Sequence, residues 1–285
     1  MRIASVVRLV SFLILAVGLS SCSSVGEDPA PSGLDPNIPP VTEGNWYRPP
    51  IDVTWQWQLS GAINTGYVVE IYDVDIWETP DALIQSLHAS GRKVICYFSA
   101  GTGDINRDDY GEFLASDLGR QLGGFPDEHW LDVRSSNVLR IMLARLDLAV
   151  SRSCDGVEPD NVDGYTNNSG FDFTATDQLA FNRRLANEAH TRGLSIALKN
   201  SGDQASNLVE YFDFDLNEEC LEFNECDQWQ PFLAAEKPVL NVEYAGSKAE
   251  ASAMAQTVCP LANAEGLRTL IMPFDLDDEF RVSCF

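Results

Sequence analysis

From Val53 to the end of the chain, short apolar runs alternate with longer amphipathic stretches. The runs read VTWQWQL, YVVEIY, KVICYFS, GVEPD, SIALKN, FDFDLNE, PVLNVEY and TLIMPF. Short runs rich in β-branched and aromatic residues predict strands. Helical periodicity fills most gaps, at 79–90, 138–152, 175–192, 204–211 and 247–265. Thr79-Pro80-Asp81 predicts a cap at Thr79 with proline at the first helical position. Gly91, Gly193 and Gly266 each stand just before a strand and predict helix ends. Eight strands alternating with helices predict an α/β fold, a single-domain (β/α)8 TIM barrel over residues 44–285. A doubly wound open sheet is the competitor, but no glycine-rich phosphate loop follows any strand.

The N-terminus follows other rules. Residues 1–21 carry Arg2 and Arg8 and then an apolar run from Leu9 to Leu19, too short to span a bilayer. The run ends in Leu19-Ser20-Ser21-Cys22, which resembles a bacterial lipobox. The expectation is a lipoprotein signal peptide cleaved before Cys22, with Cys22 lipidated as the membrane anchor. Ser23 in place of Asp directs the product to the outer membrane of the cell envelope. Residues 22–43, rich in Pro, Ser and acids, read as a linker that would hold the domain clear of the membrane.

Charge narrows the partners. Forty-three Asp and Glu against 19 Lys and Arg give −24, and cleavage before Cys22 removes two arginines and no acids, leaving −26. Such a surface repels phosphate backbones, so no nucleic acid is expected, and it draws cationic ligands in. Solubility of an exported protein explains the same acidity without a partner. Beyond Cys22, six cysteines allow fifteen pairings, and an even count in an exported chain favours disulfides. The expected pairs are Cys220–Cys226, Cys259–Cys284 and Cys96–Cys154. No pair has CxxC spacing and the three histidines are scattered, so no metal site is expected. A monomer is expected.

Barrel enzymes carry their chemistry at the carboxyl ends of the strands. Here those ends give Tyr72 and Asp73, Tyr97, Asp160 and Asp163, Lys199 and Asn200, Glu218 and Glu219, Glu243 and Tyr244, and Asp275. Carboxylates therefore converge on one rim without a cofactor or a catalytic histidine. Glycoside hydrolysis needs that set: one carboxyl protonates the leaving oxygen and another attacks the sugar carbon or activates water. The surplus acids are expected to raise the pKa of the proton donor. Trp46, Tyr72, Trp77, Tyr97 and Tyr244 are candidates for stacking on sugars, or for core packing.

The runs WQWQL, KVICYFSAG, HWLDVR, CDGVEPDNVDGY, ALKN, NEECLEFNEC and KPVLNVEY resemble glycoside hydrolase family 114, the endo-α-1,4-polygalactosaminidases. The resemblance runs from about residue 45 to 275 and implies a (β/α)8 barrel that cleaves α-1,4-linked galactosamine polymers without metal or cofactor. It implies Asp160, in EPDN, as nucleophile and Glu218, in NEEC, as acid/base. The family form is closer to NEQC, so Glu219 is a departure, and strand alternation alone leaves open which glutamate points inward. Asp73, Glu158, Asp163 and Glu243 would hold the ammonium groups of a cationic galactosamine-rich polysaccharide, and Tyr97, Lys199, Asn200 and Tyr244 would complete the substrate site. Lys199 reads as an ion-pair partner rather than an imine-forming lysine, because the acids around it raise its pKa. Two other readings use the same residues: a non-catalytic surface lipoprotein that captures amino-sugar polymer, and a divalent-metal hydrolase with Asp160, Asp163 and Glu218 as ligands.

Overall fold

A computed structural model describes residues 34–285. The expected signal peptide, the lipidation site at Cys22 and most of the expected linker lie outside the described residues. Twelve strands are found in chain order: β1 Trp55–Gln58, β2 Ile71–Asp75, β3 Lys93–Ser99, β4 Thr102–Asp104, β5 Leu118–Leu122, β6 Phe125–Leu131, β7 Gly156–Asp160, β8 Ser195–Lys199, β9 Phe214–Glu218, β10 Val239–Tyr244, β11 Arg268–Met272 and β12 Val282–Ser283. The helices are α1 Asp81–Ala89, α2 Ser136–Ser151, α3 Ala175–Thr191, α4 Ala205–Leu208, α5 Gln230–Ala234 and α6 Lys248–Glu265.

Eight strands run parallel in the order β1-β2-β3-β7-β8-β9-β10-β11, each arising from one of the eight apolar runs. The architecture is the expected α/β one, a mostly parallel sheet curled in the TIM-barrel manner, with two departures from a regular (β/α)8. No helix follows β1 or β11, and α4 and α5 are single turns. The seam between β1 and β11 is also not a ladder, because β12 pairs antiparallel with β11 there. Instead Trp55 donates its indole N–H to Arg268 O at 2.8 Å, the Arg268 guanidinium donates to Val53 O at 2.8 Å, and Leu59 N–H reaches Leu276 O at 3.1 Å.

Strand alternation divides the apolar residues in two. Val94, Cys96 and Phe98 face outward and pack with Ile84, Leu87, Met142 and Leu146 of α1 and α2. Trp55, Trp57, Ile71, Ile95, Ala197, Leu216, Val242 and Leu270 form a second cluster inside the barrel. That inner plug is apolar low in the barrel and turns polar at the strands' carboxyl ends.

Three local expectations changed. Pro80 occupies the cap position of α1, and the Thr79 hydroxyl makes no hydrogen bond. The last part of the expected linker is docked: Asn187 and His190 of α3 bond Val41 and Pro39, and Tyr211 bonds Ile38 O. A proline-rich run lacks periodicity whether it floats or is pinned by side chains from elsewhere. The antiparallel sheet β4-β6-β5, inserted between β3 and α2, was not anticipated.

All three expected disulfides are present: Cys96–Cys154, Cys220–Cys226 and Cys259–Cys284. The first closes the longest stretch, 58 residues, and joins β3 to the turn before β7. Replacing both cysteines with serine is expected to cost about 4 kcal/mol through the freer unfolded chain. Urea unfolding of the oxidised proteins would read this as a lower midpoint; an unchanged midpoint would contradict it.

Candidate active site

Asp160 ends β7, Lys199 ends β8 and Glu218 ends β9, so three adjacent strands deliver three charges to one point. The Lys199 ammonium, almost fully buried, lies 3.0 Å from Asp160 Oδ1, 3.0 Å from Glu218 Oε2 and 3.7 Å from Glu158 Oε1. The Trp57 ring lies 5.1 Å from it, and the Trp57 indole N–H donates to Glu158 Oε2 at 3.1 Å. Burial alone would lower the lysine pKa, but Asp160, Glu218 and Glu158 outweigh it and hold the ammonium well above the usual range. That is the ion-pair role expected of Lys199.

Each catalytic candidate is held by further donors. Asp160 accepts from Asn161 N–H at 2.7 Å, from the Asn161 amide at 3.1 Å and from the Tyr97 hydroxyl at 3.2 Å. Asn161 makes these bonds in a left-handed conformation, φ 59°, which asparagine tolerates better than most residues. Gly101, in the KVICYFSAG run, lies over the Asn161 carbonyl, and a Cβ there would come within 1.7 Å of that oxygen. Glu218 accepts from Asn200 Nδ2 at 3.1 Å and from the Tyr244 hydroxyl, while its own N–H donates to Asn200 Oδ1 at 3.1 Å.

Glu218, not Glu219, belongs to the inward set. It continues the alternation of Phe214 and Leu216 inside the barrel, whereas Glu219 leaves the strand with φ 59° and stands more exposed at the edge of the cleft. The electrostatic expectation for Glu218 is overturned. Burial raises its pKa, but Lys199, with the bonds from Tyr244 and Asn200, outweighs burial and holds it below the usual glutamate range. The crowded acids do not set its charge, because the Lys199 ammonium 3.0 Å away outweighs them.

Asp160, Glu218, Lys199, Asn200, Tyr97, Tyr244 and Asp163 all line one cleft of about 890 Å3 at the carboxyl end of the barrel. Burial and the nearby Asp160 push the Asp163 carboxyl up to about 6. Three residues expected to bind substrate do not line it. Asp73 and Glu158 are fully buried beneath Lys199, and burial, reinforced at Glu158 by the Asp73 charge, pushes both well above the usual carboxylate range. Glu243 faces outward, since Tyr244 beside it faces in, and accepts from Leu221 N–H at 3.0 Å and Glu222 N–H at 3.3 Å, fixing the loop after β9.

Among the five aromatic candidates only Tyr97 and Tyr244 reach the cleft. Trp46 stacks on His190 elsewhere, Tyr72 points outward, and Trp77 sits between Arg107 and Arg145. Glu128 and Trp130 of the inserted sheet, Asn161, and the phenylalanines 125, 223 and 274 line the cleft without having been singled out in the sequence. HWLDVR, EPDN and NEECLEFNEC contain three of these residues, Trp130, Asn161 and Phe223, and Phe274 closes the strand run TLIMPF.

A parallel barrel that gathers paired carboxylates in a cleft at its strand ends defines the class: a barrel-type glycoside hydrolase. The chain belongs to glycoside-hydrolase family GH114, whose model matches residues 37–285. Among solved structures it is similar to Aspergillus fumigatus Ega3 in complex with galactosamine, at 38% identity and TM-score 0.79, over 85% of this chain and 99% of that one. It also resembles the glycoside hydrolase domain of PelA from Pseudomonas aeruginosa, at 14% identity and TM-score 0.64, over 82% and 98% of the two chains. That second likeness is one of fold. No curated protein matches.

Proposed function

We propose that this chain is a retaining endo-glycosidase acting on α-1,4-linked, galactosamine-containing polysaccharide, with Asp160 as nucleophile and Glu218 as acid/base. One observation carries the reading. With Lys199 3.0 Å from an oxygen of each, those two oxygens lie no more than about 6 Å apart, both legs laid end to end. Retaining carboxyl pairs stand about 5–5.5 Å apart and inverting pairs about 6.5 Å or more, to admit a water. In the first step Asp160 bonds to the anomeric carbon, the glycosidic bond breaks, and the leaving oxygen takes the Glu218 proton. In the second, water attacks that carbon, its proton passes to Glu218 and Asp160 is released.

Lys199 suits the second step directly. Once Asp160 is a neutral ester, the ammonium faces Glu218 and favours it as the base. The first step requires Glu218 protonated, which its lowered pKa confines to acid pH. The substrate class is supported by the chain's −24 charge, by the cleft acids Glu128, Asp163 and Glu219, and by the galactosamine held in the Ega3 structure. A lysine ammonium stands where the divalent-metal reading would place its cation. Surface tethering through Cys22 is part of the proposal and rests on the leader sequence and on disulfides typical of exported chains.

The test is NMR of the first product from a partly deacetylated α-1,4-galactosamine oligomer. An α anomer is expected; a β anomer would establish inversion, and no cleavage at all would favour capture without turnover. The basic limb of kcat/KM is expected on the acid side of neutrality, because it reports the lowered Glu218 pKa in the free enzyme.

A further inference from the structure

Large apolar side chains left in water forgo roughly 1.5–3 kcal/mol each, so their location is informative. Among the described residues, the aromatic ones so exposed are Phe125 at 44%, Phe223 at 64% and Phe274 at 62%, and all three line the cleft. They come from different segments: the tip of the β5–β6 hairpin, the loop after β9 and the loop after β11.

Two of them continue the catalytic site outward. Tyr244, whose hydroxyl donates to Glu218, meets the Phe274 ring edge-on at 5.2 Å, and Phe274 meets Phe125 at 6.3 Å. Asp275 lines the cleft beside Phe274. The third is presented by a staple. Phe223 lies within the loop closed by Cys220–Cys226, which is further tied by Phe223 N–H to Glu219 O at 3.0 Å and Glu225 N–H to Cys220 O at 2.9 Å. A closed loop holds the Phe223 backbone in place before any ligand arrives, so binding loses less freedom than on an open loop. Glu219 and Glu225 line the cleft near it.

We infer that Phe274 with Phe125, and Phe223 on its disulfide loop, form two sugar-stacking subsites that flank the Asp160–Glu218 centre and seat successive rings of a cationic polysaccharide. A phenyl ring offers no hydrogen bond, so it selects the apolar C–H face of a sugar, and the axial O4 of a galacto-configured ring leaves the C3–C5 edge of one face free for it. The carboxylates beside each platform would take the ammonium of the same sugar. The inference rests on the proposed function, because the same polymer occupies both.

The test separates the two readings by measuring binding without turnover, in the Glu218→Gln background, for α-1,4-galactosamine oligomers of two to eight units. Phe223→Ala and Phe274→Ala are each expected to weaken octamer binding about tenfold, with less than a twofold change for the dimer, and Phe→Tyr at either position to restore it. Octamer binding unmoved by either alanine, or weakened equally at every length, would overturn the subsites while leaving the substrate intact. Failure of every oligomer to bind any variant would overturn the substrate reading and the subsites with it.

Discussion

Asp160→Asn is expected to lower hydrolysis of deacetylated α-1,4-galactosamine polymer on the order of 10⁴-fold, with melting close to wild type. The amide keeps the shape and can still accept from Tyr97, but it cannot form the ester. Glu218→Gln is expected to cost about 10²–10⁴-fold on the polymer, whose leaving oxygen needs a proton. On an aryl glycoside with an acidic phenol the first step needs no such proton, so bond cleavage should remain fast and only turnover should slow. A stopped-flow burst of phenol from Glu218→Gln, and none from Asp160→Asn, would establish the division of roles. Wild-type polymer hydrolysis by both variants would remove the assignment.

The second large effect belongs to Lys199→Met, which removes the one ammonium shared by Asp160, Glu218 and Glu158. Taking one partner from a buried ion cluster costs about 3–5 kcal/mol, because the remaining charges lose their compensation. The pH dependence has a definite sign. Glu218 is held below its usual range in the folded protein, so the stability it contributes is present above its unfolded pKa and lost as pH falls through the folded value. Lys199 is held above its usual range, so its contribution is present throughout the neutral region and lost only at high pH. The loss in Lys199→Met is therefore expected to be largest near pH 7 and to shrink in acid, where the carboxylates are protonated anyway. With the ammonium gone, Glu218 rises and the basic limb of kcat/KM moves to higher pH. Equal destabilisation at pH 4 and pH 7, with an unmoved limb, would show that Lys199 acts by packing alone.

The buried pair Asp73 and Glu158 answers a question that the acidic run CDGVEPDNVDGY raises. Four acids within nine residues cannot all face one cleft, and the fold distributes them. Asp155 pairs with Lys93 and His88 at the far end of β7, Glu158 lies beneath Lys199, Asp160 faces the cleft, and Asp163 stands in the loop beyond. Their crowding in sequence is relieved by period two and by strand length, which places them at different depths along the barrel.

The sequence by itself determined the eight strands, an even cysteine count that called for disulfides, and the placing of EPDN and NEEC at strand ends. Strand patterning is a property of adjacent residues, and a residue at the end of an apolar run falls at the barrel mouth whatever its neighbours do. Only the tertiary structure decided that Glu218 rather than Glu219 turns inward, that Glu243 braces a loop, and that Asp73 and Glu158 are buried away from the cleft. It also decided the sign of the Glu218 shift, which follows from a 3.0 Å contact between residues on different strands. Charge composition counts acids, but a pKa responds to whichever charge is nearest and to how much water has been removed, and both are fixed by strands meeting across the barrel.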